Sequence, residues 1–478
     1  MKNAADLPFL SGLPASACLV DVRSQRTYDR NGLVAAATSK SAEIERLTTG
    51  RPGPVVIAEP DAAEMLITLF GAWAAGRCAV LVNPQLSDEE KQNVMAHTSA
   101  CAWLGPGADG LEQPEGADGA AGAIGIDDPA LILMTSGTTG VPKGIVHSLR
   151  SLSARTALNV AHIGADSLQR SLCVLPMFFG HGLIGNCLSP LAAGGTLYLW
   201  CSPGITEIAS FGKVMDDHAI SFLSSVPSFW KLAMRMSASP ANPPRRVHIG
   251  SAPLSAEFWS QIAQWVGTQN VYNLFGMTET ANWIGGGVLS EAAGRDGYVG
   301  SIWGGNYAVL LDDGTVAPVG RGEVLVQSPT IMQNYLNAPD KTREAFVSGW
   351  FRTGDIGELD EAGRVTLVGR IKTEINRAGI KIQAEEIDML LERHPQIEEA
   401  CAFAIPDPVS GEAVAAAIVA SNGTAVDVDA VRGWCKERAR SEAVPVVLYL
   451  LEEIPKNERG KIVRDKVREA AQMQESST

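Results

Sequence analysis

Short apolar runs, broken by polar and glycine-rich stretches, recur along the chain. Pro54-Val-Val-Ile-Ala58 reads as a buried strand, and Cys78-Ala-Val-Leu-Val82 as the next. Between them Asp61 is placed to cap a helix from Ala62 to Gly76. Strand, helix, strand in this order predicts βαβ units and a largely parallel sheet flanked by helices. Gly105 to Gly125, rich in Gly, Ala, Asp and Glu, reads as a surface loop. Ala130-Leu-Ile-Leu-Met134 is a further buried strand. Leu172-Cys-Val-Leu leads into an aromatic turn at Phe178-Phe179-Gly-His181, and Phe222-Leu-Ser-Ser into a turn with Phe229 and Trp230. Val247-His-Ile ends in the small residues Gly250, Ser251 and Ala252, which let a flat group approach the backbone. Ser255 caps the helix that follows, where Phe258, Ile262, Trp265 and Val266 share one apolar face. Near the C-terminus a helix with Ile387, Leu390 and Leu391 on one face precedes two strands and a helix, a small α+β unit.

The most specific break follows the Ala130–Met134 strand. As a run, Thr135, Ser136, Gly137, Thr138, Thr139 and Gly140 can hardly be helix or strand, and Lys143 follows. Gly137 and Gly140 permit backbone angles closed to other residues, so amide N–H groups can converge on one point. With the hydroxyls and Lys143 around it, that point suits an anion, most naturally a polyphosphate. The P-loop pattern needs Lys directly after its second Gly and then Ser or Thr. Here Val141 and Pro142 intervene and Gly144 stands in the hydroxyl position, so this is a different loop. An ordinary surface turn is the competing reading, and the preceding buried strand weighs against it.

Three further blocks carry chemistry. Val271-Tyr-Asn-Leu-Phe-Gly-Met-Thr-Glu-Thr280 ends an apolar strand on Thr278 and Glu279. Trp350-Phe-Arg-Thr-Gly-Asp355 puts a carboxylate after a tight Gly turn, and an acceptor-only group suits two ribose hydroxyls. Ile454-Pro-Lys-Asn-Glu-Arg-Gly-Lys461 lies in a basic tail. Each has a bland alternative: a solvated strand end for Glu279, a β-turn Asp for Asp355, a charged tail for Lys461. For His181 alone, a satisfied core histidine is the better reading.

Composition narrows the classes. At 478 residues the chain exceeds one ordinary core, so two or more domains are expected. With 46% hydrophobic and 19% charged residues it is globular. No apolar run approaches the ~20 residues of a membrane span, and the N-terminus has no signal-peptide core. A net charge of −14 argues against nucleic acid as a partner. The eight Cys show no C-x-x-C spacing, so neither a disulfide framework nor a zinc site is indicated, and a reducing cytoplasm fits.

The loop at Thr135–Lys143 resembles the phosphate-binding loop of the adenylate-forming superfamily: acyl- and aryl-CoA ligases, peptide-synthetase adenylation domains and luciferases. The other blocks follow in the family's order, so the resemblance covers nearly the whole chain. It implies an α/β fold: a large N-terminal domain of βαβ-type sheets with a smaller β subdomain, residues 1–370, and a mobile α+β domain, residues 371–478. Asn273, Phe275, Gly276, Thr278 and Glu279 match its N-x-Y-G-x-T-E block, with Phe275 in place of Tyr. That match implies Thr278 on the α-phosphate, Glu279 on Mg²⁺ and Phe275 on adenine. Asp355 and Arg370 are implied as further nucleotide contacts and Lys461 as the bridge between substrate carboxylate and α-phosphate. Phe179, His181, Phe229, Gly250, Ser251, Ala252 and Met277 fall on the acyl pocket, Lys372 on the hinge, and Ala378 and Gly379 on the thiol face. Relatives commonly carry Gly-Gly where this chain has Ala378-Gly379.

The resemblance implies an ATP-, Mg²⁺- and CoA-dependent acid ligase. It would form an acyl-adenylate, then a thioester. No Asp stands beside His181 to hold an amino group, so an amino-acid substrate is disfavoured, and the aromatic pocket candidates favour an aryl or medium apolar acid. A ligase loading an acyl or aryl carrier protein is the nearest alternative, since Ile375-Asn376-Arg377 resembles such enzymes. A non-catalytic nucleotide-binding regulator is the alternative of another class, and a luciferase-like oxidase has no support in these residues.

Overall fold

The computed structural model describes residues 9–107, 124–135, 143–421, 426–457 and 460–475. Their strands form three sheets. In the first, Ala102–Leu104, Val55–Ile57, Ala79–Leu81 and Pro129–Thr135 run parallel, as the βαβ rhythm predicts. Lys143–Ser148 then returns antiparallel to Pro129–Thr135, and the two-residue strand Asn334–Tyr335 adds to its far edge. Asp61 caps the helix Ala62–Ala74 by accepting the Glu64 N–H at 2.9 Å. This helix is apolar around almost its whole circumference, and every residue from Met65 to Ala74 is buried. Trp73 locks it to the sheet by donating to the Ala130 carbonyl at 2.8 Å.

The second sheet holds six neighbouring strands whose contacts are parallel: Cys18–Asp21, Thr196–Leu199, Arg170–Cys173, Phe222–Ser225, Arg246–Gly250 and Val271–Met277. Ligands of open parallel sheets gather beyond the carboxyl ends of the strands. Three adjacent strands here end at Ser225, Gly250 and Met277. Past Met277 a short turn, Thr278–Thr280, reverses the chain into Asn282–Val288, and the rest of the sheet is antiparallel. Ser255 caps the helix Ala256–Val266 from its side chain to the Phe258 N–H, as expected.

The segment after Phe179 differs from expectation. It is not only a turn: His181–Leu188 is a wide π-type helical segment, buried from Gly182 onward. Its glycines permit the close packing. A Cβ on Gly182 would stand 2.1 Å from the Pro176 carbonyl oxygen, and one on Gly185 would stand 2.6 Å from the Trp283 ring.

The third sheet is larger than the sequence reading. It comprises Glu374–Arg377, Ile380–Gln383, Ile397–Asp407, Gly411–Ala420 and Val447–Leu450. The helix Ala384–Glu392 buries Ile387, Leu390 and Leu391 against it. Lys231–Glu392 at 3.6 Å and the Arg393–Asp296 pair join this unit to the second sheet and its helices. Among the described residues no helix is long and apolar enough to cross a membrane.

Candidate active site

Thr135 and Lys143 face each other in the antiparallel ladder, one at each base of the glycine-rich loop. Ser136, Gly137, Thr138 and Thr139 lie outside the described residues. The Lys143 ammonium sits 3.2 Å from the centre of the Tyr335 ring and 3.7 Å from Glu279 Oε1. Tyr335 donates its hydroxyl to the same carboxylate oxygen at 3.0 Å. Burial lowers the Lys143 pKa, Glu279 opposes the shift, and the nearby Lys372 and Lys341 add to it. Burial, reinforced by Glu279, pushes the Tyr335 phenol far up, so it remains a donor.

The Thr278–Glu279 turn is held from both sides. The Met332 N–H donates to the Glu279 carbonyl at 2.7 Å. His147, wholly buried, lies 2.7 Å from the Thr278 carbonyl through Nε2 and 3.3 Å from Ser151 Oγ through Nδ1. A carbonyl only accepts, so Nε2 carries the proton. Burial pushes His147 down to about 4. Gly276 is a position where a Cβ would be 2.2 Å from the Asn282 carbonyl oxygen. Asn273 is buried with its amide donating to the Tyr298 carbonyl at 3.0 Å. Phe275 is only 5% exposed and packs with Ile284, Val299 and Tyr307, so most of its ring is spent on the core. Met277 is half-buried beside it.

Asp355 and Arg370 are cross-strand partners, with Arg370 Nε 2.6 Å from Asp355 Oδ1. Asp355 Oδ2 is buried and accepts no hydrogen bond among the described residues. Burial raises the Asp355 pKa, while Arg370 and then Lys461 oppose the rise. A buried, orphaned carboxylate oxygen suits a pair of ligand hydroxyls.

His181 lies 2.9 Å from Ser251 Oγ through Nδ1 and 2.7 Å from Ser224 Oγ through Nε2. Ser251 has a left-handed backbone, φ 69°. Gly250 is buried and Ala252 half-buried beside it. Phe179 meets Phe178 edge-on at 4.4 Å. Phe229 turns instead toward the apolar cluster, 5.1 Å from Phe211 and 6.0 Å from Trp230.

Lys461 closes a turn in which the Asn457 N–H donates to its carbonyl at 2.9 Å. This turn abuts the second sheet's flank: a Cβ on Gly460 would stand 2.6 Å from Ser228 Oγ. The Lys461 charge acts on both His181 and Asp355. Lys372 is exposed in the turn Ile371–Thr373, and Thr373 donates to the Glu385 carboxylate at 2.8 Å. Ala378 and Gly379, at φ 52° and 86°, form an exposed hairpin tip. Their backbone N–H groups bond to Ser410 and Asn376 within the third-sheet unit.

The family model for AMP-binding enzymes matches residues 106–336, and that for the AMP-binding enzyme C-terminal domain matches residues 386–461. A sulfoacetate–CoA ligase of Cupriavidus necator is 33% identical over 71% of this chain and 67% of its own length. The chain belongs to the AMP-binding enzyme family. An oxalate–CoA ligase of Arabidopsis thaliana is 32% identical over 71% of this chain and 66% of its own. The chain thus spans about two thirds of the length of these curated relatives. The o-succinylbenzoate CoA synthetase of Bacillus subtilis with its acyl-adenylate superposes with a TM-score of 0.84 at 22% identity, over 96% of this chain and 98% of that one. This likeness concerns the fold.

In this AMP-binding enzyme, sequence reasoning missed Tyr335, His147 and Ser224. Tyr335 reaches Glu279 only because Asn334–Tyr335 pairs with Lys143–Ser148, a contact no local pattern announces. His147 follows Lys143 in the same strand, and its position there was the one available signal. Magnesium is commonly held by one or two carboxylates together with substrate phosphates. Among the described residues no cluster of three or more His, Cys, Asp or Glu could hold a metal ion, so Glu279 fits that substrate-assisted mode alone.

Proposed function

We propose that this chain is an AMP-forming ligase that joins a carboxylic acid to CoA. The observation that carries the reading is the convergence of Lys143, Tyr335 and Glu279 beside the glycine-rich loop. The orphaned Asp355 oxygen and the charge of Lys461 complete the set. In the first half-reaction a carboxylate oxygen attacks the α-phosphorus of ATP and pyrophosphate leaves. In the second, a thiol sulfur attacks the acyl carbon and AMP leaves.

Both reactants of the first step are anions, so cationic and donor groups must offset their charge. Lys461 holds the carboxylate against the α-phosphate. Thr278, fixed through its carbonyl by His147, donates to the α-phosphate, and Lys143 and the loop hydroxyls meet the other phosphates. Asp355 and Arg370 take the ribose. Glu279 would hold Mg²⁺ with the phosphates, and that ion supplies further charge neutralisation. Residues 371–478 act as a mobile domain hinged at Lys372, bringing Ala378-Gly379 to the site for thiol transfer. The eight scattered Cys, without C-x-x-C spacing, fit a reducing cytoplasm.

The test is pyrophosphate release from MgATP over a panel of carboxylic acids, with and without CoA, on wild type and Lys461→Ala. Acid-dependent release that Lys461→Ala abolishes, with CoA consumed, supports the ligase. Release without CoA consumption transfers the second step to a carrier protein. Nucleotide binding with no release under any acid returns the chain to the regulatory reading.

A further inference from the structure

The wall around His181 joins two serine hydroxyls to packed aromatic rings. A neutral imidazole offers one donor and one acceptor, and both nitrogens of His181 are engaged by hydroxyls. Burial, reinforced by Lys461, pushes the ring down to about 3, so it is neutral in ordinary buffers. Ser224 is wholly buried and grips Nε2 from inside, at the end of the Phe222–Ser225 strand. Asn186 fixes that strand end by donating to the Ser224 carbonyl at 2.9 Å. Ser251 and His181 are only half-buried, so the chain of bonds runs from the core outward to the Ser251 hydroxyl. The left-handed backbone of Ser251 is unfavourable for an L-residue and is kept where it aims the hydroxyl at the ring.

Among the described residues, the ring backs onto packed aromatic side chains. Trp283 meets His181 edge-on at 5.3 Å, and Phe222, His248 and Trp303 pack around the indole. None of these four is more than 4% exposed. The turn bearing Lys461 lies against Ser228. The Lys461 charge acts on His181, so one acid can meet Lys461 with its carboxylate and the Ser251 hydroxyl with its other end.

Resting on the ligase reading, we infer that the acid is short and carries an oxygen substituent close to its reacting carboxylate, received by the Ser251 hydroxyl. The substituent is a hydroxyl, an oxo group or a second carboxyl. Ser224 and His181 are positioning residues for that hydroxyl, and Trp283 sets the depth. This acid differs from the aryl or medium apolar one favoured by the aromatic residues in the sequence, of which Phe229 faces the Phe211 cluster. A site that hydrogen-bonds a substrate oxygen discriminates strongly against the analogue lacking it.

Pyrophosphate release by the full chain is measured with propionate, hexanoate and benzoate against glycolate, glyoxylate, oxalate and malonate. At least one short oxygen-bearing acid should exceed all three of the others in kcat/KM by about tenfold or more. Ser251→Ala should lower the ratio of that acid to propionate by about tenfold. Ser224→Ala should lower the same ratio and Ser224→Thr restore it, which a general loss of stability would not do. Trp283→Ala should raise the rate with hexanoate or benzoate relative to wild type. A wild-type preference for hexanoate or benzoate overturns the inference and leaves the ligase standing, as does an unchanged ratio in Ser251→Ala. Release with no acid at all overturns both.

Discussion

Tyr335 donates its hydroxyl to Glu279 across 3.0 Å, from a two-residue strand 56 positions further along the chain. The phenol joins two opposite charges, because the Lys143 ammonium rests on its ring face. A cation over an aromatic face is held without consuming a carboxylate, which leaves Glu279 less occupied by its neighbouring lysine. Tyr335→Phe keeps the ring and removes the bond. Loss of a hydrogen bond to a charged acceptor is worth about 1.5–3 kcal/mol. We expect kcat/KM for MgATP to fall roughly ten- to hundredfold, with an unchanged circular dichroism spectrum. Steady-state pyrophosphate release decides it, and an unaltered kcat/KM would remove Tyr335 from the site.

Asp355 presents one oxygen to Arg370 and leaves the other buried without a partner among the described residues. If ribose hydroxyls complete it, wild type should discriminate against 2′-deoxy-ATP, and Asp355→Asn should reduce that discrimination. The ATP KM of Asp355→Asn should rise about tenfold or more. Equal preference of both proteins for ATP over its deoxy analogue would place the ribose elsewhere.

His147 is neutral in the fold, its pKa depressed to about 4, against about 6.5 for a free imidazole. Between these values the unfolded chain binds a proton that the folded chain does not. Stability is therefore complete above pH 6.5 and is lost as pH falls toward 4. His181, pushed to about 3, acts in the same direction. At pH 5 the depressed imidazole of His147 costs on the order of 2 kcal/mol. The Tm should drop between pH 7 and pH 5, and less steeply in His147→Asn. Parallel melting curves for the two proteins would show that His147 is not the group responsible.

Lys372 is exposed, between Arg370 and the Thr373–Glu385 bond. Proline fixes φ and should block rotation there. Lys372→Pro should leave acyl-adenylate formation near wild type and slow transfer to the thiol. Gly379→Trp should impair transfer selectively as well. Single-turnover assays, first with ATP and acid, then with CoA added to isolated acyl-adenylate, separate the steps. Equal slowing of both steps by Lys372→Pro would end the two-position account.

Local chemistry made much of this molecule readable. Asp61 and Ser255 cap helices where the sequence placed them, and the parallel strands follow from their apolar runs. The blocks around Lys143, Glu279, Asp355 and Lys461 were visible because each packs several unusual residues into a few positions. What stayed hidden depends on distance along the chain. Tyr335 has no local signature, and its role comes from a strand pair. Ser224 gains meaning only from His181, 43 residues away. The resemblance of its segment puts Phe229 in the pocket, yet its helix turns the ring toward Phe211. The π-type segment at His181 depends on what Gly182 and Gly185 must avoid, and those neighbours belong to other elements.

A single residue, Ile371, separates Arg370, which grips Asp355, from Lys372. If residues 371–478 turn about Lys372 as proposed, whatever fastens Arg370 also fixes the near end of the lever that carries Lys461. Reciprocity then applies: if nucleotide favours one orientation of the small domain, that orientation must tighten nucleotide by the same factor. AMP affinity would then serve as a gauge of lever position, with no thiol present.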